Sequence, residues 1–176
     1  MTEDQEIPLG SGPRDGAGMS LLTVLVAENY EPFRRFLCSM LWKRPELRIV
    51  AEVSNGLEAV KKAQELQPGL ILLDVGLPML NGIEAARRVR ELSPESKILF
   101  VSQESSPDVV QEAIASGALG YITKINARID LFAAVEAVCQ GRRFVITGLA
   151  GHVPELADRQ ARRFHPEEVL SPEAGD

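Results

Sequence analysis

Short apolar runs alternate five times with segments of helical periodicity, and this alternation restricts the fold more than any other feature of the sequence. The runs are almost uninterrupted by polar residues, which is typical of strands that are covered on both faces in a parallel sheet. Ser106 followed by Pro107 predicts the start of the fourth helix. The predicted strands are 21–27, 47–53, 70–74, 97–102 and 119–123, and the predicted helices are 32–43, 55–66, 82–92, 107–116 and 128–140.

Five strand–helix units joined by right-handed crossovers predict a doubly wound α/β sandwich. A flavodoxin-like (βα)5 arrangement, with the parallel strands in the order 2-1-3-4-5, suits a chain of this length. In such a sheet ligands bind outside the carboxyl ends of the strands, next to strands 1 and 3. Residues that follow the predicted strands are therefore the candidates for a functional site.

Composition divides the 176 residues into three parts. Segment 1–20 is rich in glycine, proline and charge and is predicted to be a disordered leader. The alternating pattern fills one domain over 21–141. Segment 142–176 is predicted to be a mostly flexible tail, with one short helix at 154–164.

Charge and hydropathy exclude several classes of function. The net charge of −6 provides no overall basic field that would attract nucleic acid, so direct DNA binding is not expected. No apolar run approaches the roughly 20 residues of a membrane span, and the polar N-terminus does not resemble a signal peptide. We expect a cytoplasmic protein without membrane contact.

Polar side chains stand at the end of four predicted strands. Glu28 and Asn29 follow the first strand, Asp74 ends the third, Ser102 ends the fourth and Lys124 follows the fifth. Because the carboxyl ends of parallel strands share one edge of the sheet, these side chains should meet in one crevice.

These residue types suggest a metal-assisted phosphoryl site. Carboxylate and amide oxygens are suitable ligands for Mg²⁺, and the carbonyl of Gly76 could complete the set because glycine permits close approach. Lys124 would add a second positive charge and Ser102 a hydrogen bond to a phosphoryl group. Asp74 would then be a carboxylate nucleophile that forms an aspartyl phosphate.

The sequence resembles the receiver domain of bacterial two-component response regulators from about residue 22 to residue 141. The resemblance rests on "VLVAEN", "LILLDVGLPMLNGIEAAR", "ILFVS" and "GALGYITK", and is closest to receivers that usually precede a helix-turn-helix output domain. It implies that Asp74 is the phosphoacceptor, that the metal ligands are Glu28, Asn29, Asp74 and the Gly76 carbonyl, that Ser102 and Lys124 contact the phosphoryl group, and that Ser102 and Tyr121 form the switch.

One departure from the family concerns the metal site. The family usually has an aspartate where this chain has Asn29, and the aspartate is the direct metal ligand. An amide oxygen carries no charge, so we expect Mg²⁺ to bind at least ~10–100-fold more weakly, the loss typical of a removed outer-shell partner.

Segment 142–176 is too short for a DNA-binding output domain, so signalling through protein–protein contacts is expected. The resemblance implies a sensor histidine kinase or phosphotransfer protein as the phosphate source and an unknown protein as the target. It also implies that the face made by helix 4, strand 5 and helix 5 is the docking surface; a homodimer is left open. No enzyme activity is expected beyond self-phosphorylation and autodephosphorylation.

Two alternative functions are compatible with this type of fold. The first is a pseudo-receiver, in which the same fold is a binding module that works without phosphorylation. The second is a hydrolase or a flavin carrier, which the sequence disfavours. Aspartate-dependent phosphohydrolases commonly place a second acid where this chain has Gly76, and no Ser/Thr-rich phosphate loop follows the first strand.

Overall fold

The structure is a computed structural model that describes residues 20–147. Strands and helices alternate along this part of the chain, as the sequence predicts. A short 3-10 helix, Lys124–Asn126, follows the fifth strand. The strands are β1 (Leu22–Ala27), β2 (Leu47–Val53), β3 (Leu70–Leu73), β4 (Lys97–Ser102), β5 (Gly120–Thr123) and β6 (Phe144–Ile146), and the helices are α1 (Glu31–Leu41), α2 (Gly56–Leu66), α3 (Gly82–Leu92), α4 (Pro107–Ala115) and α5 (Ala127–Cys139).

The strands form one parallel sheet in the order β2-β1-β3-β4-β5-β6. The predicted flavodoxin-like fold and the predicted order of the first five strands are confirmed. Some element boundaries differ by one or two residues from the predicted ones. For example, β3 ends at Leu73, so Asp74 is the first residue beyond the strand. α4 begins after Ser106, whose side chain accepts a hydrogen bond from the Val109 N–H as a helix cap.

Two apolar layers cover the sheet. Buried residues of α1 and α5 pack on one face, and buried residues of α2, α3 and α4 pack on the other. All four residues of β3 and all four of β5 are buried, which explains the uninterrupted apolar sequence of β3; in β5 the polar Thr123 is buried as well. Within residues 20–147, no helix has the length and apolar character needed to cross a membrane.

The sixth strand was not predicted and lies beyond the predicted domain boundary at residue 141. α5 ends in a Schellman motif, in which the Gly141 N–H bonds to the Val138 carbonyl and the Arg142 N–H to the Ala137 carbonyl. Gly141 takes a φ of +74°, which reverses the chain so that residues 144–146 run alongside β5. The predicted disordered leader, except residue 20, and the predicted flexible tail from residue 148 on, with its short helix at 154–164, lie outside the described residues.

The start of α3 is packed directly against the backbone after β3, so Gly82 is a sensitive position. A Cβ at Gly82 would overlap the Asp74 carbonyl oxygen. We expect Gly82→Ala to lower the free energy of unfolding by roughly 2–3 kcal/mol, because the backbone must shift. Urea unfolding followed by circular dichroism would measure the loss.

Gly141→Ala is the control for this prediction. A Cβ there would meet no atom within 4 Å, so only the positive φ is unfavourable, at a cost of about 1 kcal/mol. An equal loss in both variants would show that the packing against Asp74 is not the tighter constraint.

Candidate functional site

A cavity of about 300 Å³ opens at the carboxyl ends of β1, β3, β4 and β5. The structure brings six of the seven predicted site residues to it. Tyr30, Gln103 and Glu104 also line the cavity and were missed, although all three lie within two residues of a predicted site residue in sequence. The predicted residues that line it are Glu28, Asn29, Asp74, Gly76, Ser102 and Lys124.

Glu28 is held by main-chain and side-chain contacts at the end of β1. Its side chain is buried, and its Oε1 accepts a hydrogen bond from the Tyr30 N–H at 2.8 Å. Its own N–H donates to the Val53 carbonyl, and its carbonyl accepts a bond of 2.8 Å from Arg34 Nη1 on α1. These contacts fix both the Glu28 carboxylate and the peptide that leads to Asn29.

Asp74 is held where the chain leaves the sheet. Its N–H donates to the Ala27 carbonyl, so the direction of β3 is kept for one residue past the strand. Its side chain is buried, with Oδ2 bonded to Lys124 and Oδ1 without a hydrogen-bond partner among the described residues. A buried carboxylate oxygen without a partner is costly, and its retention suggests a ligand.

Lys124 joins the two carboxylates. Its Nζ lies 2.7 Å from Glu28 Oε2 and 3.1 Å from Asp74 Oδ2, and 5.0 Å from the centre of the Phe33 ring. The contact with Glu28 is an ion pair rather than an aligned hydrogen bond. These two carboxylates and the ammonium carry one net negative charge between them, in addition to the charge of the exposed Glu104 at the cavity.

The predicted switch residues are connected but only one lines the cavity. Ser102 is buried at the cavity wall, and its Oγ accepts a bond of 3.3 Å from the Glu104 N–H. Tyr121 lies on β5 with its ring fully buried against Phe100, and its hydroxyl donates to the Glu104 carbonyl at 2.8 Å. Glu104 therefore connects the two residues through its main chain.

The donor set is compatible with Mg²⁺. Asp74 supplies a buried oxygen without a partner, and Asn29 is exposed at the rim with its amide available. A Cβ at Gly76 would lie 3.7 Å from Asp74 Oδ2, in ordinary contact, so the glycine is not required by packing and instead leaves that side of the carboxylate open. Residues 20–147 contain no group of three or more acidic, histidine or cysteine side chains that could hold a metal ion. Mg²⁺ needs only one or two carboxylates, because it usually keeps several of its waters.

A scan against protein-family models matches the response regulator receiver domain over residues 24–136. The chain belongs to this family. The family assignment agrees with the parallel sheet and with the position of the cavity at its carboxyl edge. Receiver domains are generally signalling modules rather than enzymes, and the roles of the individual residues in this receiver stay predictions.

Curated relatives include transcriptional regulatory proteins of Bacillus subtilis. The receiver is 30% identical over 151 residues to the transcriptional regulatory protein LiaR of Bacillus subtilis, covering 86% of this chain and 72% of the relative. It is 31% identical over 121 residues to the transcriptional regulatory protein LnrK of the same organism, covering 69% of this chain and 55% of that relative. The chain therefore spans only part of the length of these proteins.

Solved structures of receiver domains have the same fold. The signal receiver domain of NarL from Mycobacterium tuberculosis superposes with a TM-score of 0.67 at 26% identity, covering 70% of this chain and 99% of that one. The response regulator domain of CheB from Thermotoga maritima gives a TM-score of 0.64 at 27% identity, with coverages of 68% and 97%.

The environment of Tyr121 predicts a pH effect on stability. Burial raises the pKa of the Tyr121 hydroxyl above 10.0, and the charges of Glu104 and Asp74 add to the rise. The folded state then holds this proton more tightly than the unfolded state, so the stabilisation is complete below about pH 10 and is lost as the pH rises further. Tyr121→Phe should therefore lose less stability than the parent above pH 10.

Urea unfolding between pH 8 and pH 11 would test this effect. Tyr121→Phe should be less stable than the parent at pH 8 by about 1 kcal/mol, because the bond to Glu104 is lost. Tyr30→Phe alters an exposed ring and should follow the pH profile of the parent. Parallel profiles for the parent and Tyr121→Phe would contradict the prediction.

Proposed function

We propose that this receiver accepts a phosphoryl group on Asp74 from a sensor histidine kinase or phosphotransfer protein. The observation that carries the proposal is the asymmetry of the Asp74 carboxylate. One oxygen is bonded to Lys124, while the other is buried beside a 300 Å³ cavity without a hydrogen-bond partner. A positioned carboxylate with a free oxygen is suited to nucleophilic attack.

The reaction is a transfer between two nucleophiles. An oxygen of Asp74 forms a bond to phosphorus as the phosphorus–nitrogen bond of a phosphohistidine breaks, and the imidazole keeps the electron pair. Lys124 lies close enough to Asp74 to stay beside the transferred group and to balance its charge. The Ser102 hydroxyl would donate a hydrogen bond to it from the cavity wall.

The metal contribution follows from the same residues. Asp74, Asn29 and the Gly76 carbonyl would hold Mg²⁺, with Glu28 beside them, and the ion would neutralise charge on the phosphoryl oxygens. Signalling would then proceed through protein–protein contacts, with an unknown target. Self-phosphorylation from small donors and autodephosphorylation are the only reactions we assign to the chain itself.

The first experiment tests the nucleophile. After incubation with acetyl phosphate and Mg²⁺, the parent should gain the mass of one phosphoryl group, and Asp74→Asn should gain none. Asp74→Asn should remain folded, because Glu28 still pairs with Lys124. Asp108→Asn removes another acid, in the first turn of α4, and should keep full uptake.

The outcomes of this experiment separate the two classes of function. The same adduct on Asp74→Asn would refute the assignment of the phosphoacceptor. A parent without any adduct would instead indicate a pseudo-receiver, a binding module that works without phosphorylation.

The second experiment tests the neutral residue at the metal site. Asn29→Asp adds a carboxylate beside the Glu28, Asp74 and Lys124 group, which carries only one net negative charge, so the variant should bind Mg²⁺ at least ~10-fold more tightly. Isothermal titration calorimetry would measure the dissociation constant. Gln103→Glu adds the same charge at the β4 side of the cavity and should tighten binding much less. If the parent binds Mg²⁺ as tightly as Asn29→Asp, the amide is a sufficient ligand.

A further inference from the structure

β6 covers the outer edge of β5, a strand that belongs to the predicted docking surface of helix 4, strand 5 and helix 5. The two strands pair in register, with Gly120 opposite Phe144, Tyr121 opposite Val145 and Ile122 opposite Ile146. Val145 packs against the same core layer as Tyr121, whereas Phe144 packs against the opposite layer. The strand therefore closes the edge of the sheet on both faces.

β6 is more weakly held than the strand it covers. Its three residues are all only half-buried, whereas all four residues of β5 are buried. It is the edge strand of the sheet that the structure describes, so only one of its sides is paired. Its start is anchored, because the Schellman turn at Gly141 leads into a bond of 3.1 Å from the Phe144 N–H to the Leu119 carbonyl. Such an element can open locally while the rest of the sheet stays closed.

A chain of contacts connects β6 with the cavity. Val145 pairs with Tyr121, whose ring is fully buried and whose hydroxyl bonds to the Glu104 carbonyl. The N–H of Glu104 in turn bonds to Ser102 Oγ, and both residues line the cavity with Asp74. A change in how Ser102 is bonded would therefore reach the position of Tyr121, and through it β6.

We propose that β6 is a strap that closes the edge of β5 over Tyr121, and that closure of the strap is coupled to occupancy of the cavity through residues 102–104. The existence of the strap does not depend on the function proposed above, whereas the coupling rests on that function. Coupling between two sites is reciprocal, so a phosphoryl group that steadies Ser102 and Glu104 would also steady the strap. The strap is the occupant of this edge, which is consequently closed to other proteins until β6 is released.

Hydrogen exchange on the full chain without any ligand tests the strap. Val145→Asp places a charge against the core layer that contains Tyr121. We expect exchange of the amides in β5 and β6 to rise at least ~10-fold, with β1 and β3 unchanged. Ile129→Asp makes the same substitution at a residue of α5 that is 81% exposed, and should leave β5 and β6 as in the parent.

Two outcomes would overturn the strap. Unchanged exchange in β5 would show that β6 does not protect that edge, and an equal rise in every strand would show that β6 opens only with the whole domain. If Val145→Asp does not fold, Val145→Ala gives the same measurement, with a smaller rise of ~3-fold confined to β5 and β6.

Trifluoroberyllate with Mg²⁺, a non-covalent stand-in for the phosphoryl group, tests the coupling. It should slow exchange of residues 144–146 at least ~3-fold in the parent and have no effect in Asp74→Asn. Calorimetry should show that Val145→Ala binds trifluoroberyllate more weakly than the parent, because part of the binding energy must then close the strap.

The results also distinguish failure of the coupling from failure of the proposed function. A parent that binds trifluoroberyllate without a change in exchange at 144–146 overturns the coupling and leaves the phosphoacceptor role intact. A parent that neither binds trifluoroberyllate nor takes up a phosphoryl group overturns both. In either case, the hydrogen-exchange experiment without ligand decides whether β6 protects the edge of β5.

Discussion

The structure depends on the ammonium group of Lys124, which compensates two carboxylates at the ends of neighbouring strands. Glu28 and Asp74 are both buried, and burial of unpaired charges would oppose folding. Lys124 follows β5, which is separated from β3 by β4, so its side chain must cross the end of β4 to reach them. The charges are therefore compensated only when β1, β3 and β5 are in their final positions.

The same compensation sets the conditions for ligand binding. For a Mg²⁺ ion, the cavity would already contain one positive charge, and Asn29 adds no negative charge to offset it. The affinity for the cation would therefore depend on how strongly Lys124 stays paired with Glu28 and Asp74. A phosphoryl group supplies negative charge itself, so it would favour the metal and the ammonium together. Each of the two, Mg²⁺ and the phosphoryl group, should consequently bind with higher affinity when the other is present.

The sequence predicts which residues meet at this cavity wherever their placement depends on side-chain type and on position along a strand. Glu28, Asp74, Ser102 and Lys124 are polar residues at the ends of apolar runs, and parallel pairing alone brings those ends together. Tyr30 and Glu104 were missed because they bond through main-chain groups: Tyr30 bonds to Glu28, and Glu104 bonds to Ser102 and Tyr121. Residue type carries little information about which peptide group will bond to which side chain.

β6 could not be predicted for a different physical reason. Its three residues are too few to show a strand period, and its pairing is decided by the turn at Gly141 and by the unpaired edge of β5. Its presence changes the interpretation of Tyr121. Val145 is paired in register with Tyr121 and packs against the same core layer, and the Tyr121 hydroxyl is held by Glu104, so an outward motion of the ring must break that hydrogen bond. If β6 is the strap proposed above, the free energy of that motion is set jointly by the loop at the cavity and by the strand at the edge of the sheet.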